Sequence, residues 1–200
     1  MIKIDNKLLV SYGAADEKIG RCMSIRYQSV TYHGPQTQVS IMPTWAEVGK
    51  ATILGVFAYK VINDEIQYDE YIDISDKLQR DAGVHNLGIW KPLRWNVPEG
   101  LWKIVFIVAD RKDNYIDPMN PDAVQAYIER VYESTATNMK EYFNNPVLGF
   151  FFDEPGYFIP EGRVPWTDNF CDIFKAQKGY DPLPFVVKLW LEPMPYYSRG

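Results

Sequence analysis

The chain has 200 residues, 46% hydrophobic and 15% aromatic, with 21 Lys and Arg against 26 Asp and Glu and a net charge of −5. That size and composition suffice for a packed core in one large domain or two small ones, and they exclude a disordered chain. The acidic balance, with no Lys/Arg cluster longer than two, excludes general nucleic-acid binding, which needs a basic face for phosphates.

Fourteen Tyr and six Trp are a high aromatic content. Such side chains combine an apolar face with a polar handle and suit sugar-binding clefts as well as cores and protein interfaces. Cys22 and Cys171 lie far apart and match neither a disulfide framework nor a zinc pattern, so both read as plain thiols, mostly buried. The N-terminus lacks the apolar core and small-residue cleavage site of a signal peptide, and no apolar stretch reaches the roughly 18 residues of a membrane helix. With Met1 as the true start, the expectation is a cytoplasmic chain with no membrane partner.

In chain order, Met1 to Val10 reads as a first strand and Arg21 to Val30 as a segment of open type, with a turn at His33-Gly-Pro35. Residues 1–35 thus form an N-terminal segment without a motif, and His33 reads as a surface residue or one that supports a site from behind, rather than as a ligand, since no second His lies nearby. Residues 36–110 read as an antiparallel β-sheet or sandwich domain. Its strands are expected at Thr37–Met42, Ala51–Val61, Ile66–Ile74 and Trp102–Val108, with breaks at Asn63-Asp64, Gly83, Gly88 and Pro98-Glu-Gly100. Ile66, Tyr68, Glu70, Ile72 and Ile74 should share one face. Trp90, Trp95 and Trp102 can serve as a carbohydrate platform or as core packing, and packing is the stronger reading.

After Asp110 the pattern changes. Asn120-Pro-Asp-Ala123 supplies an N-cap residue, a proline at the first helical position and an acid in the first turn. Apolar residues then recur near the 3.6-residue period, which predicts a helix from 121 to about 143, stopped by Asn144-Asn-Pro146. A strand over 147–152 follows after a short connection. A second helix is expected beyond Trp166, capped by Thr167, with Phe170, Ile173 and Phe174 facing inward and Gly179 ending it. Phe185–Leu191 can form one or two more helical turns.

The stretch Val147-Leu-Gly-Phe-Phe-Phe-Asp-Glu-Pro155 is the chemical centre of the sequence. Its apolar run suits a strand of a parallel sheet covered on both faces, and it opens onto two carboxylates. The carboxyl edge of such a sheet is where α/β proteins keep their chemistry. A carboxyl group at the mouth of an apolar pocket holds its proton near neutral pH. Glycoside hydrolysis uses such an acid together with a second carboxylate. Asp153 and Glu154 are neighbours on a strand and point to opposite faces, so they are poor candidates for that pair. Asp117, Asp153 and Glu161 are the acids to test beside Glu154.

Four blocks, Tyr115-Ile-Asp-Pro-Met-Asn-Pro-Asp-Ala-Val124, Gly149-Phe-Phe-Phe-Asp-Glu-Pro155, Pro165-Trp-Thr167 and Phe174-Lys-Ala-Gln-Lys-Gly-Tyr-Asp181, occur in that order. In this the chain resembles the large bacterial glycoside hydrolases of the α-L-rhamnosidase type. The resemblance implies a TIM-like catalytic barrel interrupted by a β-domain, with Leu93–Trp102 where the chain returns to the barrel. Residues 111–200 would then be a partial (β/α) barrel segment, so the fold class is α/β plus β. It also implies that Glu154 is a catalytic acid or base and Asp153 a supporting residue. Tyr157 and Trp166 become sugar-stacking candidates, and Asn120 matches the family's Asn-Pro block, although helix capping is its stronger assignment. Some relatives use carboxylates of this region to hold calcium, so a divalent cation is the candidate cofactor.

A complete barrel takes about 250 residues, which this chain cannot supply. Uncovered strand edges then favour self-association or cover from flanking domains. Three readings follow: part of a glycoside hydrolase acting on plant or bacterial oligosaccharides, a non-catalytic carbohydrate-binding or interaction module derived from one, and a purely structural domain.

Overall fold

The computed structural model describes residues 3–4, 7–10, 20–41, 51–78, 80–81, 89–90, 93–111, 115–152 and 161–192. In chain order the strands before the helical region are β1 (Lys3–Ile4), β2 (Lys7–Val10), β3 (Met23–Ile41), β4 (Ala51–Ile62), β5 (Glu65–Asp73), β6 (Arg80–Asp81), β7 (Ile89–Trp90) and β8 (Leu93–Arg111). After them come α1 (Pro121–Tyr127), α2 (Ser134–Asn138), β9 (Gly149–Phe152), β10 (Val164–Trp166), α3 (Phe170–Lys178) and α4 (Lys188–Leu191). The chain divides into two compact units, one of residues 1–24 and 111–169, the other of residues 25–110 and 170–200. Each unit is therefore built from two separated stretches of sequence.

The second unit is an antiparallel sheet in which strands lie in the order β3, β8, β4, β5. In β8, Leu93, Trp95 and Val97 are buried while Arg94, Asn96 and Pro98 are exposed, the period-2 pattern of a strand with one solvated face. From Ile104 to Ala109 every residue is buried, so both faces of the strand are covered there. Trp95 and Trp102 meet edge to face at 6.0 Å inside a cluster with Ile53, Val56, Ile104 and Phe106. These two tryptophans are core.

Two breaks expected from sequence are absorbed into strands. Pro98-Glu-Gly100 lies within β8, with Gly100 at φ +104°, and His33-Gly-Pro35 lies within β3. The long β3 also contains the Arg21–Val30 segment from Met23 onward, and His33 is exposed on it. Gly34 is required by contact: a Cβ there would sit 1.8 Å from the Pro98 carbonyl oxygen. Glycine admits this close approach of two backbones. Asn63 and Asp64, by contrast, do form a turn, at φ 52° and 64°, the two left-handed residues of a tight hairpin between β4 and β5.

That hairpin is not regular. The register slips between Tyr59 and Lys60, so Tyr59 pairs with Tyr71 and Lys60 with Gln67. The bulge brings both Tyr68 and Tyr71 to Tyr59, at ring distances of 6.0 and 6.1 Å. The single face expected for Ile66, Tyr68, Glu70, Ile72 and Ile74 is therefore broken, with Ile74 buried and Glu70 and Ile72 exposed.

Residues 170–192 complete this unit. Gly179 at φ +84° ends α3, and its N–H returns to the Lys175 carbonyl. Ile173, expected to face inward, is 44% exposed, while Phe170 and Phe174 are half-buried. Leu183, Val186 and Val187 are buried, and the Tyr59 hydroxyl donates to the Pro184 carbonyl. Burial, followed by Tyr71, Tyr68 and Asp73, pushes the Tyr59 phenol up, which keeps that donor protonated. Phe185 packs edge-on to Tyr71 at 5.9 Å, Trp190 on Tyr27 at 5.2 Å, and the Lys188 ammonium lies 4.8 Å from the Tyr68 ring centre.

Both cysteines are free thiols, Cys22 buried and Cys171 half-buried. Burial, then the charge of Asp181 and a hydrogen bond to it, then Asp172, push the Cys171 thiol up to about 11. At pH 8 the thiolate fraction of Cys171 is then on the order of 100-fold below that of an unperturbed thiol, and mass-mapped iodoacetamide labelling should be correspondingly slow. Gly34→Ala should lower stability by about 1–3 kcal/mol in urea unfolding, because the new methyl group must displace backbone.

Candidate functional site

The first unit contains the stretch singled out by its acids. β9 pairs in parallel with β2, with Lys7 opposite Gly149 and Val10 opposite Phe152, so their carboxyl ends share one edge. β1 continues the sheet as an antiparallel neighbour of β2, in the order β1-β2-β9. The helical region before β9 runs from Pro121 to Tyr142 as α1, a π-wound turn over Ile128–Glu133, α2 and a 3₁₀ turn over Lys140–Tyr142. The expected continuous α-helix is therefore widened in its middle; Ala123, Tyr127 and Thr135 are its buried residues, and Tyr142 is exposed.

The helical region and β9 are joined by a tight connection. The Asn144 N–H donates to the Val147 carbonyl at 2.7 Å, and the Val147 N–H donates to the Tyr142 carbonyl at 2.9 Å. Phe150 then packs on Tyr132 at 4.8 Å and on Phe143 at 5.8 Å. Phe152, the last residue of the strand, packs against the pair Ile116 and Tyr127. Parallel pairing is as the apolar run suggested, but cover on both faces is not: Phe151 is 38% exposed and Leu148 68%. Alternation explains the difference, since the even-numbered phenylalanines meet the helical residues and Phe151 points to the other face.

Asp153, Glu154 and Tyr157 follow directly in sequence and lie outside the described residues. Asn120 is the N-cap of α1, and its Oδ1 accepts from the Asp122 and Ala123 N–H groups at 3.0 and 3.4 Å. Asp117 is buried and holds the turn before that cap: its Oδ1 accepts from the Met119 N–H at 3.0 Å, and its carbonyl accepts from the Asn120 N–H. Because Ile116 and Phe152 belong to one cluster, the Asp117 backbone is held close to the carboxyl end of β9. Glu161 is exposed in a turn, and Trp166 is buried at the end of β10.

Thr167 does not cap a helix. It is buried, its hydroxyl has no hydrogen-bond partner among the described residues, and α3 starts three positions later, at Phe170. Its neighbour Asp168 instead takes both carboxylate oxygens to Arg111 Nη2 at 2.7 Å, an exposed pair 57 residues apart that no local signal announces.

Among the described residues no group of three or more His, Cys, Asp and Glu is placed to hold a metal ion, and no helix is long and apolar enough to cross a membrane. No protein-family model, curated protein or solved structure matches the chain.

Asn120→Ala removes the acceptor of two orphan helix N–H groups and should cost about 1 kcal/mol by urea unfolding, while Asn120→Asp retains most of it.

Proposed function

We propose that this chain is part of a glycoside hydrolase acting on oligosaccharides or glycosides, in which Glu154 serves as catalytic acid or base. One observation carries the reading: the strand before the inserted sheet pairs in parallel with the strand after it. Strand β2, an inserted antiparallel unit, a helical region and strand β9 follow one another, the order expected of a barrel-type βαβ unit interrupted by a β-domain. In sequence two acids come directly after β9, and both parallel strands run toward the edge where α/β folds assemble reacting groups.

In such a site Glu154 protonates the glycosidic oxygen as the bond breaks, and a second carboxylate stabilises or attacks the sugar carbon. Asp153 is the supporting acid. Asp117 accepts the Met119 N–H through Oδ1 and so helps to hold the turn before α1, and it stays, with Asp153 and Glu161, among the acids to test beside Glu154. Among the described residues the unit supplies two parallel strands, so the remaining wall of a TIM-like barrel would come from elsewhere. The same carboxylates are the place where a divalent cation would bind.

The chain supplies only part of such a barrel, so its turnover alone is expected to be low, and the test is a sensitive measurement of aryl-group release by the purified 200-residue chain from a panel of aryl glycosides. Glu154→Gln should lower kcat/KM by about 10²–10⁴ with Tm unchanged. If the wild-type chain releases nothing yet its Tm rises with oligosaccharide, the non-catalytic carbohydrate-binding reading replaces this one.

A further inference from the structure

The helical region before β9 holds one turn wound more widely than an α-helix, over Ile128–Glu133. The Ser134 N–H reaches the Glu129 carbonyl, five residues back, whereas the Ile128 N–H reaches the Val124 carbonyl and the Met139 N–H the Thr135 carbonyl, each four back. Such turns are rare inside α-helices. This one lies between two anchors. Tyr127 is buried just before it, Tyr132 sits within it, and their rings meet edge to face at 5.8 Å. At about 3.6 residues per turn, residues five apart lie about 140° apart around the axis, so α winding of the same residues would turn Tyr132 away from Tyr127. It would also take Tyr132 off Phe150, which it meets at 4.8 Å.

We infer that this turn is a built-in slack: it holds one residue more than the α-helix that would join the same two anchors, and the spare residue is carried on the solvent side at Glu129-Arg130. Both of these are exposed, while Val131 and Tyr132 pack against the cluster of Ile116 and Tyr127. With one exposed residue removed, Val131 and Tyr132 stand three and four positions after Tyr127, the two spacings that share a face of an α-helix. The contacts of Tyr132 with Tyr127 and Phe150 are then kept, and the turn gains regular bonds. Within α1 there is no such allowance. Ala123 and Tyr127 are buried and four apart, and Ala123 lies so near Gly20 that a Cβ on that glycine would be 2.9 Å from the Ala123 methyl group. Losing a residue between them swings Ala123 about 100° around the axis and off Gly20. The helical region can therefore change length by one residue at 128–133, and not within α1, while keeping its hold on β9. The inference rests on the packing of this region on β9 and is independent of any hydrolytic activity.

Two deletions in the full chain, one of Glu129 and one of Gln125, test it. Each abolishes the same exposed bond, from Gln125 Nε2 to Glu129 Oε1, so that loss cancels between them. Removing Gln125 should lower Tm by about 5 °C or more, and removing Glu129 should lower it by less than half as much, or raise it. Nuclear Overhauser contacts between the Tyr132 and Phe150 rings, expected in the wild type, should persist without Glu129. A variant that does not fold counts as a full loss. A Glu129 deletion that costs half or more of what the Gln125 deletion costs, equal tolerance of both, or disappearance of the Tyr132–Phe150 contacts on removing Glu129 would each overturn the inference.

Discussion

The pairing of Lys7–Val10 with Gly149–Phe152 is the constraint on which the first unit depends. Parallel strands cannot be joined by a tight turn and need a crossover, and here the crossover contains both a helical region and a whole antiparallel sheet. Closing a loop of this length adds only slowly to the entropic cost, because that cost grows with the logarithm of loop length. The inserted sheet, being ordered itself, shortens the flexible path further. What the pairing must supply is a surface for the helical region, and Phe150 and Phe152 supply it through Tyr132, Phe143, Ile116 and Tyr127.

The second unit meets a related problem differently. Its strands come from one continuous stretch, but its core is finished by residues 170–192, which follow the first unit in sequence. Tyr59 is the point of attachment: a buried phenol must have a partner, and the Pro184 carbonyl provides it. The bulge beside Tyr59 gathers Tyr68 and Tyr71 around it, and Phe185 and Lys188 then pack on those two rings. Much of the tyrosine content that suggests a sugar cleft in composition alone is therefore spent, in this unit, on ring-to-ring contacts between a sheet and a C-terminal segment.

Elements whose cause is local were legible. Asn120-Pro-Asp-Ala123 starts a helix because the cap acceptor, the fixed φ of proline and the first-turn acid act within four residues. Asn63-Asp64 turns because both residues tolerate positive φ, and Gly179 ends a helix for the same reason. Gly-Pro and Pro-Glu-Gly misled, since turn chemistry read by itself does not reveal that Gly34 lies against the Pro98 carbonyl and that two neighbouring strands run through both sites without breaking. Thr167 misled in the same manner: a threonine ahead of an apolar period looks like a cap, yet its helix begins too far downstream.

The sequence by itself determined the alternation that makes β8 a strand, the cap that starts α1, and the apolar run that ends on Asp153 and Glu154. These depend on side-chain periodicity and backbone preference, which act over a few residues. Only the tertiary structure decided that β2 lies beside β9, that residues 170–192 close the inserted sheet, and that Phe151 is left open while Phe150 and Phe152 are covered. Each of these joins residues far apart in the chain, or distinguishes two faces of one strand by what packs on them. A run of three phenylalanines carries no mark of which ring will meet a helix and which will meet solvent.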